Sequence, residues 1–405
     1  MANALSVVVV SGPDDLDEFR AFWIQHNRHP ESAPDFMSML IQARDEVLAP
    51  YILVACEDSK PVAMLIGRRE KAQFVSRIGY LNLARIPLVQ LVFVRDGCLG
   101  DLSPRVMDAM LARLRADLRA GVADRALLCN LHVGAELHTA LCRQFGTLQR
   151  TGSSKIAEHW FAHLPTDFDS FLAQRSAKHR SGFRRMTKRF ESLNEGRVRY
   201  AVFDKEADVD AFCTAAESVA RSTYQRGLGA GFFDNWENRQ RLVLSARAGS
   251  LRAYVLFAGD TPLAFWAGER IGEVMYILWT AFDPQHRKHE IGTILFLKML
   301  EDLLRHNVRT IDFGPGGAEY KERFGNLCLQ EQDIFVYRPT PKGLMTRSIG
   351  GLNNVANQVG RQLLDNLGIT QRLKKAWRSG LAARARGANP ELQGSRPATP
   401  ILEED

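Results

Sequence analysis

The sequence has few cysteines, and they follow no metal-binding or disulfide pattern. The 405 residues include six, all far apart: Cys56, Cys98, Cys129, Cys142, Cys213 and Cys328. There is no C-x-x-C pair, and most of the six lie in apolar runs, where cysteine acts as a small core residue. We therefore predict no metal site and no disulfide framework.

Long hydrophobic runs are also missing. No apolar stretch approaches the roughly 20 residues that a membrane-spanning helix requires. The apolar segment within residues 1–11 is short and has no basic residues before it, so it predicts a first β-strand rather than a signal peptide. We expect a cytoplasmic protein, with peripheral contact at the inner membrane face left open.

The chain has no strong excess of either charge. Its net charge of +7 suits an anionic ligand or surface and does not require nucleic acid. Hydrophobic residues make up 45% of the sequence, enough for a core without metal or disulfide support. The length favours two domains.

Two pairs of segments resemble each other along the chain. Residues 51–70 and 252–271 share the pattern P-x-A-x-x-x-G-x-R, with Pro61 matching Pro262, and both predict two strands joined by a polar turn. Residues 127–145 and 310–324 share Gly-Ala-Glu. Because the two matches occur in the same order, they indicate an internal duplication.

The second half shows the clearer order of elements. Its periodicity predicts the order β-α-α-β-β-β-α-β-α-β, a mixed sheet with helices on its faces. The predicted strands are 197–203, 251–258, 262–269, 273–281, 308–313 and 328–337. The predicted helices are 207–221, 235–248, 291–306 and a short one from Gly317.

Composition sets the expected domain boundaries. We predict an α/β chain with a first domain over 1–165, a second over 166–340, a helical extension over 341–386 and a disordered tail over 387–405. Within the extension, the basic helix 370–385 carries Leu373, Trp377 and Leu381 on one face. Such a helix can lie on an anionic membrane or pack on the protein itself.

The segment 167–194 joins the two halves, and its core, Gln174–Phe190, predicts a strongly basic helix. Its cations are Arg175, Lys178, Arg180, Arg184, Arg185, Lys188 and Arg189. This helix is either a solvated linker or a clamp for an anionic substrate or for the phosphates of a cofactor.

Residues 276–296 predict a strand, a basic loop and a helix that opens near Gly292. Amides at a helix N-terminus carry partial positive charge and bind phosphate, and glycine lets the phosphate approach the backbone. The predicted phosphate-binding residues are Arg287, Lys288, His289, Gly292 and Thr293.

This loop resembles the pyrophosphate loop of GNAT acetyltransferases, R/Q-x-x-G-x-G/A, which is followed by a long helix. Arg287 matches the leading basic residue and Gly292 the second glycine. Glu290 stands in place of the first glycine and departs from the pattern. The resemblance implies acetyl-CoA or another acyl-CoA as co-substrate.

A second signature lies at Ile311–Gly325, IDFGPGGAEYKERFG. It resembles the D-F-G-x-G-x-x-x-Y-K-x-x-F-G segment of the GNAT branch associated with exopolysaccharide and cellulose biosynthesis. It is also similar to the F-K-x-x-F-G segment of the FemAB-like aminoacyltransferases, which pair two GNAT folds in one chain. The resemblance covers about residues 170–340 and reaches the first half only through the repeat, and it implies two tandem GNAT-like domains.

The resemblance also implies catalytic roles. A tyrosine at the matching helix protonates the departing thiolate, so Tyr320 is the candidate general acid, with a packing role as the alternative. Backbone N–H groups within 275–280 would hold the thioester oxygen. The candidate general bases are Asp283, His286 and Glu319, although Asp283 could simply cap the turn before Pro284.

Two further segments concern the acceptor. Lys321 is a candidate ligand for an anionic substrate group, or a solvated lysine. The glycine-rich loop 221–233 occupies the place where GNAT enzymes cover the acceptor, so Tyr224 and Arg226 are candidate substrate contacts. The alternative is a flexible connection.

The first half lacks these features, because its loop 95–104 has no basic cluster and Leu137 stands where Tyr320 stands. We expect a degenerate copy that shapes the acceptor cleft.

These resemblances imply an acyltransferase that moves an acyl group, with acetyl as the expected one, to an amine or hydroxyl. The acceptor would be a saccharide, including a lipid-linked one, or an amino acid derivative in envelope or exopolysaccharide synthesis. One alternative is a FemAB-like peptidoglycan transferase that uses aminoacyl-tRNA, the only case that brings in nucleic acid. The other is a non-catalytic GNAT-fold scaffold in polysaccharide assembly, which Glu290 would favour.

Overall fold

The chain forms two units, each with its own contact network. A computed structural model describes residues 4–12, 15–78, 81–152, 156–227 and 229–366. Within these residues, unit 1 comprises those up to 158 together with 329–366, and unit 2 comprises residues 159–328. Unit 2 is therefore inserted between two parts of unit 1.

Unit 1 contains one mixed sheet. Its strands are β1 (Leu5–Val10), β2 (Val47–Pro50), β3 (Ile52–Glu57), β4 (Lys60–Ile78), β5 (Leu81–Gly100), β6 (Arg125–His132), β7 (Arg150–Gly152) and β14 (Leu327–Tyr337). The order is β1-β3-β4-β5-β6-β14, with β2 beside β4 and β7 beside β14. Only the β5–β6 pair is parallel among these described pairings.

Helices cover this sheet because each presents an apolar stripe to it. They are α1 (Leu16–His26), α2 (Pro34–Ala43), α3 (Pro104–Ala120), α4 (Glu136–Gln144) and α12 (Pro341–Asn366). The core on one side packs Leu111 and Leu114 of α3 against Leu65, Phe93 and other strand residues. A smaller cluster places Trp23 of α1 over Ile52 and Ile66.

Unit 2 contributes six further strands. Its strands are β8 (Ala157–His163), β9 (Val198–Phe203), β10 (Leu251–Ala258), β11 (Thr261–Ile271), β12 (Val274–Phe282) and β13 (Thr310–Pro315). They lie in the order β8-β13-β12-β11-β10-β9. Pairing is antiparallel except between β12 and β13, which run parallel.

The helices of unit 2 lie on both faces of its sheet. They are α5 (Phe168–Ala173), α6 (Ala177–Leu193), α7 (Val209–Ala220), α8 (Tyr224–Gly227), α9 (Trp236–Arg247), α10 (Ile291–Arg305) and α11 (Glu319–Phe324). On one face α10 packs Leu295, Met299 and Leu303 into the largest cluster. On the other, α7 packs Phe212 and Ala216 over β10 and β11.

The repeat found in the sequence corresponds to the same hairpin in each unit. In unit 1 the β3–β4 register shifts so that Cys56 faces Pro61, and in unit 2 the β10–β11 register shifts so that Phe257 faces Pro262. A β-bulge is a specific local device. Its presence at matching positions supports an internal duplication.

Several sequence expectations need correction. Residues 329–340 were predicted in the second domain, but they belong to unit 1, because β14 pairs with β6 from Glu331 to Tyr337. Likewise α12 belongs to unit 1, where the amide of Asn353 donates to the Ser76 hydroxyl at 3.0 Å. The loop expected at 95–104 is largely strand, since β5 continues to Gly100.

Most of the secondary structure predicted for the second half is confirmed, with end shifts of a few residues. The expected helix 370–385 and tail 387–405 lie outside the described residues. Across the part of the chain that the structure describes, none of the helices is both long enough and apolar enough to cross a membrane.

Candidate active site

The two parallel strands of unit 2 separate partway along their length. β12 pairs with β13 only from Val274 to Tyr276, opposite Thr310 to Asp312. β12 then continues to Phe282 while paired with β11 on its other side. Within the described residues, the β13-facing edge of β12 beyond Tyr276 therefore has no strand partner. Backbone groups at such an edge are available to hydrogen-bond a ligand.

A bulge in β12 lies at the start of this opening. Gly268 of β11 faces Ile277, but Ala267 faces Trp279, so Leu278 is the extra residue. The bulge reverses the side-chain alternation: Ile277 packs against the α10 cluster, whereas Trp279 packs on the α7 face. Only glycine fits opposite the bulge, because a Cβ at Gly268 would lie 2.0 Å from the Tyr276 carbonyl oxygen.

A short 3-10 helix, Pro284–His289, links β12 to α10. Asp283 caps it, and its carboxylate accepts a hydrogen bond from the Gln285 N–H at 3.0 Å. The same carboxylate lies 3.0 Å from Nδ1 of His286. The capping role that the sequence left open for Asp283 is thus present, together with a paired imidazole.

The predicted phosphate-binding residues all lie at this turn and in the first turn of α10. Arg287 and Lys288 are exposed, and Gly292 and Thr293 are half-buried. The first amides of a helix in general have no partner within the helix and point outward. In α10 the Thr293 N–H donates instead to the Glu290 carbonyl at 2.9 Å. Burial lowers the pKa of His289, and its neighbours Lys288, His286 and Arg189 lower it further.

Glu290 occupies the helix N-cap in the left-handed conformation, with φ of 50°. Glycine adopts this conformation without strain, which explains physically why a glycine is typical at this place. The carboxylate of Glu290 accepts a hydrogen bond from Arg323 of α11 at 2.9 Å. The same guanidinium lies 3.4 Å from the Thr293 hydroxyl. The acid is therefore paired with a cation at the candidate phosphate site.

Tyr320 lies on α11 with its ring held by two aromatic neighbours. The ring is perpendicular to that of Trp266, with centroids 5.2 Å apart, and stands edge-on to Phe313 at 5.9 Å. The indole of Trp266 also donates to the Gly292 carbonyl at 3.3 Å. Trp266 thus connects the candidate general acid to the first turn of α10.

The two neighbours of Tyr320 on α11 differ in exposure. Glu319, a candidate base, is exposed. Lys321 is buried, and its ammonium donates to the carbonyls of Gly314 and Pro315 at 3.2 and 2.7 Å. These bonds give Lys321 a role in holding the glycine-rich turn, and contact with a substrate stays a prediction.

A buried His–Asp pair holds the other side of that turn. Nε2 of His159 lies 2.5 Å from Oδ1 of Asp312, and both residues are almost fully buried. The same oxygen accepts from the Gly314 N–H at 2.7 Å. Gly314 and Gly316 have φ of 73° and 92°, so this turn requires glycine.

The loop before α9 is anchored to α7. The guanidinium of Arg226 donates to Glu217 at 2.5 Å and to the Phe232 carbonyl at 2.8 Å. Phe232 in turn packs edge-on against Trp279 of β12, with centroids 5.3 Å apart. Arg226 therefore fixes the loop to the α7 face of β12, whereas Tyr224 contributes backbone to α8.

Glu217 is the anchor of this loop. Burial acts to raise its pKa, but hydrogen bonds from Arg226, Arg221 and the Asp234 N–H outweigh burial and keep the pKa below its ordinary value. The carboxylate therefore stays ionised, as a partner of two arginines requires.

Two residues with clear contacts at the site had no role assigned from sequence. Trp266 departs from the repeat, because Leu65 stands at the corresponding position, and this departure was a usable signal. Asp312 lies in the quoted signature, but its partner His159 is distant in sequence. Only the pairing of β8 with β13 brings them together.

Comparisons with known proteins concern the domain family and the fold. Residues 177–322 match the family model of the acetyltransferase (GNAT) domain. This match supports an acyltransferase enzyme, and the first residue matched is the first residue of α6. No curated protein matches the chain.

Solved structures share the fold across most of the chain. One is FemX, at 11% identity and a TM-score of 0.55, covering 82% of this chain and 97% of FemX. Another is the C-terminal domain of a putative lysylphosphatidylglycerol synthetase from Agrobacterium fabrum, at 11% identity and a TM-score of 0.50. That match covers 84% of this chain and 96% of the other. At these identities the likeness concerns the fold alone.

Proposed function

We propose that the chain transfers an acyl group from acyl-CoA to an amine or hydroxyl, with acetyl-CoA as the expected donor. The acceptor would be a saccharide, including a lipid-linked one, or an amino acid derivative. The observation that carries the proposal is the opening of β12 away from β13, which leads to a basic turn and the N-terminus of α10. The thioester of acyl-CoA would lie in this opening, and the phosphates of the CoA would lie at the helix N-terminus.

The proposed chemistry is direct attack on the thioester. The nucleophile forms a C–N or C–O bond to the acyl carbon, and the C–S bond to CoA breaks. Backbone N–H groups of β12 beyond Tyr276 would hold the developing oxyanion. Tyr320 would give its proton to the leaving thiolate.

The proton of the nucleophile must pass to a base. Asp283 with its partner His286 is one candidate, and Glu319 is the other. The pairing favours Asp283 and His286 acting together, because a carboxylate that orients an imidazole lets the imidazole accept the proton. We propose a cytoplasmic location, where acyl-CoA is at hand and where free thiols such as the six here persist.

Two alternatives compete with this proposal. The scaffold alternative rests on Glu290, yet this acid is paired with Arg323, which reduces its conflict with a pyrophosphate. The aminoacyl-tRNA alternative draws on the basic α6, and FemX is similar in fold alone. Both predict a protein that does not bind acyl-CoA.

Calorimetric titration with acetyl-CoA and CoA, and separately with tRNA, distinguishes the three. A Cβ at Gly292 would meet only Phe282, at 3.4 Å, so a side chain there fits the protein itself. We expect Gly292→Asp to weaken CoA binding about tenfold or more, and the neutral Gly292→Asn to weaken it less. Native protein that binds neither acetyl-CoA nor CoA would contradict the proposal.

A further inference from the structure

The outward face of α6 carries a stripe of cations. Phe183 and Phe190 face the core of unit 2, and the residues of the opposite side line an open groove. They are Ala177, Arg180, Ser181, Arg184, Arg185, Lys188, Arg189 and Ser192. Within the described residues, no carboxylate forms an ion pair with the four cations from Arg184 to Arg189. These side chains are therefore available to an anion from outside.

The inward side of α6 lies beside the candidate phosphate site. The ring of Phe190 contacts that of His289, in the 3-10 turn, at a centroid distance of 6.1 Å. The guanidinium of Arg323, which pairs with Glu290, lies 5.8 Å from the ring of Phe183. Both inward side chains of α6 thus contact groups that frame the first turn of α10.

The two flanks of α6 are not equivalent with respect to this turn. Arg189 directly precedes Phe190, whose ring contacts that of His289, and the charge of Arg189 adds to the lowering of the His289 pKa, after burial, Lys288 and His286. At 3.6 residues per turn, Arg184 points about 140° away from Arg189 around the helix axis, and Arg185 lies about 40° from Arg189. Arg189 and Arg185 therefore form the flank next to the turn, and Arg184 lies on the other flank.

CoA carries more phosphate than a pyrophosphate loop can bind. Besides the pyrophosphate it has a 3′-phosphate on its ribose, a separate group that is dianionic near neutral pH. Arginine is well suited to such a group, because its planar fork donates two hydrogen bonds to phosphate oxygens. An arginine flank beside the pyrophosphate loop is complementary to this phosphate.

We propose that Arg189, supported by Arg185, binds the 3′-phosphate of CoA and makes the protein select CoA over its dephosphorylated form. This inference rests on the proposed function, since it extends the same donor site. It assigns the basic helix to the donor rather than to the acceptor.

The experiment is a calorimetric titration of the full chain with CoA and with dephospho-CoA. The variants are Arg189→Gln and, as the control with an equal loss of charge on the opposite flank, Arg184→Gln. Both positions are exposed, and thermal unfolding verifies that both variants fold. We expect native protein to bind CoA about tenfold more tightly than dephospho-CoA, as one charge-assisted phosphate contact provides. Arg189→Gln should remove most of this preference, and Arg184→Gln should keep it.

Three outcomes would overturn the inference while leaving the proposed function intact. In the first, native protein binds both forms equally, and in the second, Arg189→Gln retains the preference. In the third, the two variants weaken CoA binding to the same extent, which indicates a general electrostatic attraction by the basic helix. If the protein binds tRNA, both variants weaken that binding equally, and CoA is not preferred over dephospho-CoA, the stripe is a general polyanion-binding surface instead. Native protein that binds neither form of CoA overturns the proposed function along with the inference.

Discussion

At the scale of single residues, Tyr320 has the most specific environment in the candidate site. Its ring stands between Trp266 and Phe313, and both contacts are made by the ring rather than by the hydroxyl. Phenylalanine would preserve both of these ring contacts and remove the acidic hydroxyl, so this position tests catalysis.

We expect Tyr320→Phe to lower kcat about 10²–10⁴-fold with little change in CoA affinity, because a general acid acts on the leaving group and not on binding. Steady-state kinetics, together with titration of CoA, measures both. An unchanged kcat would give Tyr320 a packing role only.

Glu290 provides a second residue test, because its backbone and its charge can be separated. Glu290→Gly removes the backbone strain of a non-glycine residue in the left-handed conformation, about 1–2 kcal/mol. It also loses the stabilisation by an exposed ion pair, about 0.2–1 kcal/mol. We expect a small net gain in the free energy of unfolding and CoA binding tighter by a few-fold. Glu290→Gln should reproduce the tighter binding without the gain in stability. Weaker CoA binding in both variants would show that the carboxylate is needed by the site.

Lys321 shows where reasoning from sequence reaches its limit. The motif identifies the residue, but a lysine beside a tyrosine on a short helix could face solvent or substrate. The two carbonyls that its ammonium contacts become neighbours only when the glycine turn closes.

At the scale of elements, the loop from α7 to α9 depends on one carboxylate. Glu217 accepts hydrogen bonds from Arg226 and from the Asp234 N–H, so it ties both ends of the loop to α7. Because Phe232 within this loop contacts Trp279 of β12, the anchor also supports the strand that would hold the thioester.

The lowered pKa of Glu217 has a defined consequence for stability. A carboxyl whose folded pKa is lowered stabilises the fold above its unfolded pKa, about 4.3, and loses this contribution as the pH falls through the folded value. We expect Glu217→Gln to cost about 1–3 kcal/mol near pH 7 and progressively less below about pH 4. Urea unfolding between pH 3 and 7 measures this difference. As a control, Glu273→Gln at an exposed position should change the free energy of unfolding by less than about 0.5 kcal/mol. A difference for Glu217→Gln that does not shrink with acid would contradict the assignment.

The elements of unit 2 were predictable because their apolar periodicity is strong and local. The bulge at Leu278 was not, since it depends on how β12 meets Gly268 of the neighbouring strand. The 3-10 helix at Pro284–His289 was predicted only as a loop, because the sequence does not show whether the Asp283 side chain caps the following residues. The candidate phosphate-binding residues could be singled out from sequence because they are contiguous, and their role stays a prediction. His159 could not, because β8 reaches Asp312 only through tertiary pairing.

At the scale of the whole molecule, the strand β14 completes the sheet of unit 1 although it follows unit 2 in the sequence. Ile334 and Val336 of this strand are buried in the core of unit 1, and β14 pairs with β6. The sequence could not reveal this, because an isolated strand pattern does not specify its partner.

We expect Val336→Asp to destabilise unit 1 by more than about 4 kcal/mol, since it buries an unpaired charge. Hydrogen exchange of the full chain, read separately for 52–66 and 251–282, measures each unit. Protection should fall in 52–66, while the exposed Gln330→Asp on the same strand should leave it unchanged. Unaltered protection of 52–66 in Val336→Asp would show that β14 is dispensable for unit 1.

The pairing of β14 with unit 1 also affects the order in which the nascent chain folds during synthesis. Domains commonly fold from the N-terminus as the ribosome releases them. Here the first-made segment cannot complete its sheet until residues 329–337 have been synthesised, after all of unit 2. Until then β6 is an open sheet edge, the kind of edge that invites pairing with other chains. The inserted unit, although later in sequence, has all its strands before the ribosome reaches β14.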